Sequence, residues 1–180
     1  MLKLKFIFIF CLYINLLLAQ TDKEYPVIEL DSQSEMSIKG NLNNGSIMPL
    51  EWATNSSVAC FPSTRFNEFR GNHILYRITL PAASEIDITV TPTNKKDRIN
   101  VYALRFGEDN LSAPPEVSSA ISCEAGYTIY TGQPNYKSDN KPKSVSLMSI
   151  QKSYTIVIGV AGAIDTMEGD YELGIKIKKR

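Results

Sequence analysis

The chain has 180 residues, 43% of them hydrophobic, with 19 basic and 19 acidic side chains. This is the composition of an ordinary globular protein, and its balanced charge excludes the strongly basic face that a nucleic-acid partner requires. With a single histidine in the chain, no neighbouring histidine pair is present to complete a zinc-type site.

The first 19 residues are predicted to be a secretory signal peptide. Lys3 and Lys5 form a short basic start, residues 6–18 are apolar apart from one asparagine, and Ala19 is a small residue suited to cleavage. The apolar run is short for a membrane span. We therefore expect an exported protein, secreted, periplasmic or on the cell surface, with no membrane span after cleavage near Gln20.

Residues 20–180 have the length of one domain and show the alternation typical of short strands. No stretch has a sustained helical period. The predicted strands lie at residues 25–30, 36–42, 74–80, 86–90, 99–106, 127–131, 145–150, 154–160 and 171–177. We expect an all-β fold, an antiparallel sandwich, with the last two strands as an antiparallel pair at its heart.

Two cysteines remain after signal-peptide cleavage, Cys60 and Cys123. In an exported protein a single pair most simply forms one disulfide. Closing a loop of about sixty residues would stabilise the fold by about 4 kcal/mol in the chain-entropy model. The alternative is two buried free thiols, since cysteine also behaves as a small hydrophobic residue.

Three stretches carry a family resemblance. They are Tyr-Arg-Ile-Thr-Leu-Pro at 76–81 followed by Ile-Asp-Ile-Thr-Val at 86–90, Asp-Arg-Ile-Asn-Val-Tyr at 97–102, and Tyr-Thr-Ile-Val-Ile at 154–158 with Gly-Asp-Tyr-Glu-Leu at 169–173. Because the three stretches occur in this order, residues 71–177 resemble the bacterial pre-peptidase C-terminal domain. The resemblance implies a jelly-roll-like β-sandwich and, as a class, an export-associated or substrate-binding accessory role.

Gly169 precedes Tyr171 by two residues. A glycine there permits a sharp turn from which the phenol can reach back to loop backbone, as in the tyrosine corners of sandwiches. We expect a structural role for Tyr171.

Calcium is the candidate metal, because some relatives of the resembled family bind it. Asp165, Glu168 and Asp170 lie in one loop and supply the oxygen ligands that calcium prefers. A calcium site needs six to eight oxygens, and these three residues follow no known loop spacing. The alternative is a solvated acidic loop.

Four aromatic residues are candidates for ligand binding: Trp52, Tyr102, Tyr130 and Tyr136. None lies clearly on the inward face of its stretch, so exposed rings could stack on sugars or peptide. The alternative is packing at the sandwich rim or under loops. Tyr130 is the strongest candidate, because in the predicted strand it points to the face opposite to that of Tyr127 and Ile129.

The sequence gives little support for catalysis. Cys60 and His73 can be paired as nucleophile and base, but this would leave Cys123 unpaired. No Gly-x-Ser-x-Gly elbow occurs. We interpret His73 as a turn histidine bonded to backbone.

The basic end of the chain can be interpreted in two ways. Lys176, Lys178, Lys179 and Arg180 could touch an anionic surface, or they are the solvated face and end of the last strand, where lysines discourage edge pairing. The sequence favours the second interpretation.

Together these features predict an exported, non-enzymatic β-sandwich that acts as a binding or accessory module for protein or polysaccharide. The first alternative is a structural or surface-assembly protein that meets other proteins through strand edges. The second is a secreted hydrolase.

Overall fold

The computed structural model describes residues 25–55, 58–94, 96–128 and 141–180. The predicted signal peptide, Tyr130 and Tyr136 lie outside these residues. A short helix, α1, spans Trp52–Asn55, and 3₁₀ turns span Leu42–Asn44 and Ser63–Glu68. None of the helices in this part of the chain has the length and apolarity that a membrane crossing needs.

Strands dominate the described residues. They are β1 (Val27–Glu29), β2 (Glu35–Asn41), β3 (Ser46–Ile47), β4 (Asn72–Leu80), β5 (Ser84–Pro92), β6 (Ile99–Phe106), β7 (Ser122–Gly126), β8 (Lys143–Ser149), β9 (Tyr154–Gly162) and β10 (Asp170–Lys179).

The strands form two sheets. The six-stranded sheet has the order β1-β4-β9-β6-β7, with β3 also on β4, and the four-stranded sheet has the order β2-β10-β5-β8. Only β1 and β4 pair in parallel among the described strands; the other pairs are antiparallel. This confirms the predicted all-β sandwich.

The two closing strands are not partners, and that part of the prediction was wrong. β9 lies between β4 and β6, whereas β10 lies between β2 and β5 in the other sheet. Alternation shows that a strand has one buried face, but it does not show which strand lies beside it. A loop of this length can join strands within a sheet or between sheets.

The first core fills the space between the sheets. Alternate residues of β10 contribute to it, Tyr171, Leu173 and Ile175, and all three are almost completely buried. They face the alternate residues of β4, including Ile78. The predicted parity of both strands is therefore correct.

A second core covers the outer face of the six-stranded sheet. It contains Leu75, Tyr102, Leu104, Phe106 and Val157 from the sheet. Residues 48–55, 58–71 and 113–121, which we call the cap, pack on them. The cap contributes Met48, Leu50, Trp52, Ala53, Phe61, Phe69, Val117 and Ala120. The central sheet is therefore buried on both faces.

A disulfide, an ion pair and a hydrogen bond fasten the cap to the sandwich. Cys60 of the cap and Cys123 of β7 form a disulfide with a Cα–Cα distance of 4.9 Å, which confirms the predicted bond. Glu68 is buried, and Arg98 Nη2 donates to both of its carboxylate oxygens at 3.1 and 3.2 Å. Asn100 adds a 2.6 Å hydrogen bond to the Glu68 carbonyl.

The strand predicted at residues 127–131 begins too late. The structure places β7 at Ser122–Gly126, and Tyr127 and Thr128 follow it outside any strand. Residues 129–131 lie outside the described part of the chain. The register of Cys123 opposite Leu104 is what brings this sulfur to Cys60.

Candidate functional site

The sandwich is closed along one side and open along the other. On the closed side β7 approaches β8 so tightly that a Cβ on Gly126 would lie 2.9 Å from the Ser144 carbonyl oxygen. On the other side the edges of β4 and β2 stand apart. A cavity of about 440 Å³ opens between them, and we call it the slot.

The sequence makes this side open because the strands on the β4 edge are short. β3 pairs with β4 at residues 72–73 and β1 pairs with it at residues 75–77. Ile74 lies between the two pairings and lines the slot. Neither short strand extends far enough to cover the gap to β2.

Apolar side chains form most of the slot wall. Those that line it are Ile28, Leu30, Ile38, Ile74 and Tyr76, with Tyr25 and Pro26 beside them. Ile28 is 48% exposed. A cavity of this size with apolar walls and few polar groups has the properties of a ligand pocket.

Two tyrosines meet at the inner edge of the slot. The hydroxyls of Tyr76 and Tyr171 are 2.8 Å apart and hydrogen-bonded. Burial raises the pKa of both phenols, so both stay neutral over the physiological range. Tyr171 has the predicted structural role, but its partner is a second phenol and not loop backbone.

Gly40 gives the slot its shape on the β2 side. A Cβ at this position would collide with the ring of Tyr171. Because Gly40 has no side chain, the β2 backbone can lie directly against that ring. The glycine therefore leaves peptide groups, and not a side chain, on the rim of the slot.

A polar groove of about 580 Å³ continues from the slot across β2. Lys39, Gly40, Asn41 and Asn44 border both cavities. The groove adds four more residues with polar side chains: Thr93, Asp170, Tyr171 and Glu172. The open side thus presents an apolar cavity next to hydrogen-bonding groups of both charges.

The groove ends in an acidic hollow. Glu168, Gly169 and Asp170 line it together with Asp97, and the Asn41 amide donates to Asp170 at 2.7 Å. Burial raises the pKa of Asp97, and the charges of Asp170 and Glu168 raise it further. Gly169, at φ +143°, lets the loop pass close to the Asp97 carboxylate.

The calcium candidates are only partly brought together. Glu168 and Asp170 line the acidic hollow, whereas the exposed Asp165 is not among its lining residues. The sequence did not point to Asp97, which comes from another loop. Among the described residues, no group of three or more acidic, histidine or cysteine side chains is arranged to hold a metal ion. Calcium binding stays a prediction.

Two of the aromatic candidates have no exposed ring. Trp52 is 6% exposed and Tyr102 is fully buried; their ring centroids are 5.2 Å apart in the second core. The expectation that these two rings are exposed and can stack on a ligand was wrong, because the cap covers the face of the sheet to which Tyr102 points. Tyr130 and Tyr136 lie outside the described residues.

His73 is a structural histidine. Its Nε2 donates to the Phe69 carbonyl at 2.6 Å, which leaves Nδ1 to accept from the Tyr102 hydroxyl at 3.1 Å. Burial lowers the pKa of His73 to about 4, so the ring is neutral. Because Cys60 is in the disulfide, a Cys60–His73 nucleophilic pair is excluded.

No family model and no curated protein matches this chain. Solved structures do. The pre-peptidase C-terminal domain of collagenase from Bacillus anthracis is 16% identical, with a TM-score of 0.41, over 88% of this chain and all of that one. The periplasmic inhibitor of g-type lysozyme PliG from Aeromonas hydrophila is 10% identical, with a TM-score of 0.42, over 84% of this chain and 97% of that one.

A third similar structure is CBM35 from Cellvibrio japonicus Abf62, at 6% identity and a TM-score of 0.31, over 80% of this chain and 97% of that one. The pre-peptidase C-terminal domain, which the sequence resembles, is therefore among the solved structures similar to this chain.

Proposed function

We propose that the protein is an exported, non-catalytic binding module that recognises an extended segment of a partner protein at the open side of the sandwich. In this proposal the partner's backbone runs along β2, and one of its apolar side chains enters the slot. The observation that supports it is the position of an apolar cavity of about 440 Å³ directly beside an edge strand.

The edge of β2 is suited to strand addition. β2 (Glu35–Asn41) pairs with β10 on one side, and no strand in the described part of the chain pairs with its other side. An incoming strand would gain main-chain hydrogen bonds there, and the slot would select a side chain. Lys39 and Asn41 at the rim can bind the polar groups that flank it.

A protein partner fits better than a polysaccharide. Sugar recognition relies on exposed aromatic faces, and the rings of Trp52 and Tyr102 are buried. A strand edge next to an apolar cavity is instead a common arrangement for peptide recognition. Polysaccharide binding remains the alternative outcome of the test below.

Export is the expected setting of this function. The basic and apolar start of the sequence is typical of a signal peptide. The Cys60–Cys123 disulfide is typical of an oxidising compartment. Both features support a partner that lies outside the cytoplasm.

The test uses two exposed isoleucines on the same edge of β4. Ile28 lines the slot and is 48% exposed; Ile47 is 50% exposed and does not line it. Random peptides of the length of β2 would be selected for retention on the immobilised protein. We expect Ile28→Glu to abolish their binding, because an apolar side chain entering the slot would have to remove water from the carboxylate, and Ile47→Glu to leave it unchanged.

The backbone part of the proposal has its own control. Selected peptides methylated at alternate backbone nitrogens lose the donors that strand addition needs, and should bind at least tenfold more weakly in one of the two methylation registers. Equal binding to both isoleucine variants would refute the proposed site. Retention on insoluble polysaccharides without any peptide selection would refute the protein partner.

A further inference from the structure

One end of the sandwich is an apolar tip, whose residues are not among those that line the slot. It is formed by the turn at residues 81–83 between β4 and β5 and by Ile150 in the turn between β8 and β9. Residues 81–83 (Pro-Ala-Ala) are all exposed. Ile150 is 69% exposed, and the neighbouring Met148 is 46% exposed. We call these residues the tip.

Hydrogen bonds hold the two turns in one arrangement. The Ala83 amide donates to the Ile150 carbonyl at 3.2 Å, and the Arg180 amide donates to the Ala83 carbonyl at 2.8 Å. The hydroxyl of the buried Ser149 donates to the Lys152 carbonyl within the second turn. These hydrogen bonds therefore fix the two turns that carry the exposed apolar groups.

Basic side chains surround the tip. Arg105 Nη1 donates to the Met148 carbonyl at 2.8 Å, and its guanidinium carbon lies 4.9 Å from the centre of the Tyr154 ring. Lys152 Nζ lies 5.5 Å from the centre of the same ring. Arg180 Nη1 approaches the Met148 sulfur at 3.5 Å.

Acidic groups stand at the border of this arrangement. Glu85 lies opposite Met148 across the β5–β8 pair and opposite Lys178 across the β5–β10 pair. Glu108 accepts a hydrogen bond from Ser153. The tip thus has three basic side chains, Arg105, Lys152 and Arg180, and two carboxylates beside it.

The other lysines of the basic chain end are arranged differently. Lys176 lies 3.6 Å from a Glu35 oxygen, and Lys178 lies 2.6 Å from an Asp87 oxygen. Both pairs are on the outer face of the four-stranded sheet, which agrees with the sequence-based interpretation of a solvated face. Arg180 is the residue of this group that reaches the tip.

We propose that the tip docks the protein on a lipid bilayer that contains anionic headgroups. Ile150 and residues 81–83 enter the interface between headgroups and acyl chains, while Lys152 and Arg180 bind lipid phosphates. An apolar surface with basic side chains beside it is a combination that favours interfacial binding. Arg105, whose Nη1 donates to the Met148 carbonyl, adds a third positive charge there.

Vesicle co-sedimentation of the exported protein tests the proposal. Vesicles of phosphatidylcholine alone are compared with vesicles containing about one-third phosphatidylglycerol, because each basic side chain near an anionic surface adds about fivefold to the partition coefficient. We expect binding to the anionic vesicles only, with release at high salt. Ile150→Ser should lower the partition coefficient roughly tenfold through lost apolar burial.

The matched control is Ile47→Ser, at a residue that is 50% exposed and lies at the opposite end of β4 from the tip. It should bind anionic vesicles like the unaltered protein. Lys152→Gln and Arg180→Gln should each lower the partition coefficient about fivefold, with unchanged melting temperatures. Equal binding to neutral and anionic vesicles, or an Ile150→Ser variant that binds like Ile47→Ser, would overturn the proposal. Binding of a soluble polyanion, without any binding to vesicles, would also overturn it.

Discussion

Single residues in the second core give the protein a pH-dependent stability. His73 is held neutral between the Phe69 carbonyl and the Tyr102 hydroxyl, and its pKa is lowered to about 4 by burial. In the unfolded chain the same ring takes up a proton near pH 6.5. The unfolded state therefore binds more protons between about pH 6.5 and pH 4, and folding stability falls as the pH is lowered through this window.

The prediction for His73 is a loss of about 3 kcal/mol in the free energy of unfolding on going from pH 7 to pH 4. Urea unfolding at a series of pH values measures it. Carboxylates also titrate in the lower part of this range, so the comparison is with His73→Gln, whose amide can still donate to Phe69. That variant should lose less stability over the same interval, and an identical pH dependence would refute the role of His73.

At the scale of elements, β10 is where the sequence was most informative. Leu173 is completely buried in the first core, while the side chain of Lys176 is 51% exposed beside Glu35. Leu173→Asp should destabilise the fold by several kcal/mol, because a buried carboxylate there has no partner. Lys176→Asp should cost only about 1 kcal/mol, because the site is exposed even though the new carboxylate lies opposite Glu35 and Asp87.

Chemical denaturation of the two variants decides this prediction. Both introduce the same side chain into the same strand, so that intrinsic strand propensity is held nearly constant. Equal losses of stability would mean that the two faces of β10 are not distinguished by burial.

The success at β10 and the failures elsewhere have one physical explanation. Alternation tells which face of a strand a side chain points to, and this was correct for Leu173. It does not tell whether another segment covers that face. The cap lacks strand and helix periodicity, so nothing local predicted that it would bury the ring of Tyr102.

The slot and the tip were beyond sequence reasoning for a related reason. The slot exists because β4 and β2 belong to different sheets and because β1 and β3 are short. The tip exists because two turns distant in sequence, at residues 81–83 and 150, are hydrogen-bonded to each other. Ile28 and Ile150 have no distinguishing local pattern, and only the sheet topology gives them their surroundings.

For the whole molecule, the question is how the cap and the sandwich depend on each other. The two cores share the six-stranded sheet, and the disulfide between Cys60 and Cys123, 63 residues apart in sequence, joins cap to sheet. On the chain-entropy model this bond contributes about 4 kcal/mol. That is a large part of the 5–15 kcal/mol expected for a domain.

Reduction should therefore lower the overall stability and also separate the cap from the sandwich. Trp52, the single tryptophan, lies in the cap, so its fluorescence reports cap unfolding, while far-ultraviolet circular dichroism reports the strands. In the oxidised protein the two urea transitions should coincide. After reduction, or in the Cys60→Ala and Cys123→Ala double variant, the fluorescence transition should move to lower urea than the dichroism transition, because the cap then relies on apolar packing and the Glu68–Arg98 pair. Coincident transitions in the reduced protein would show that the second core alone keeps cap and sandwich in one cooperative unit.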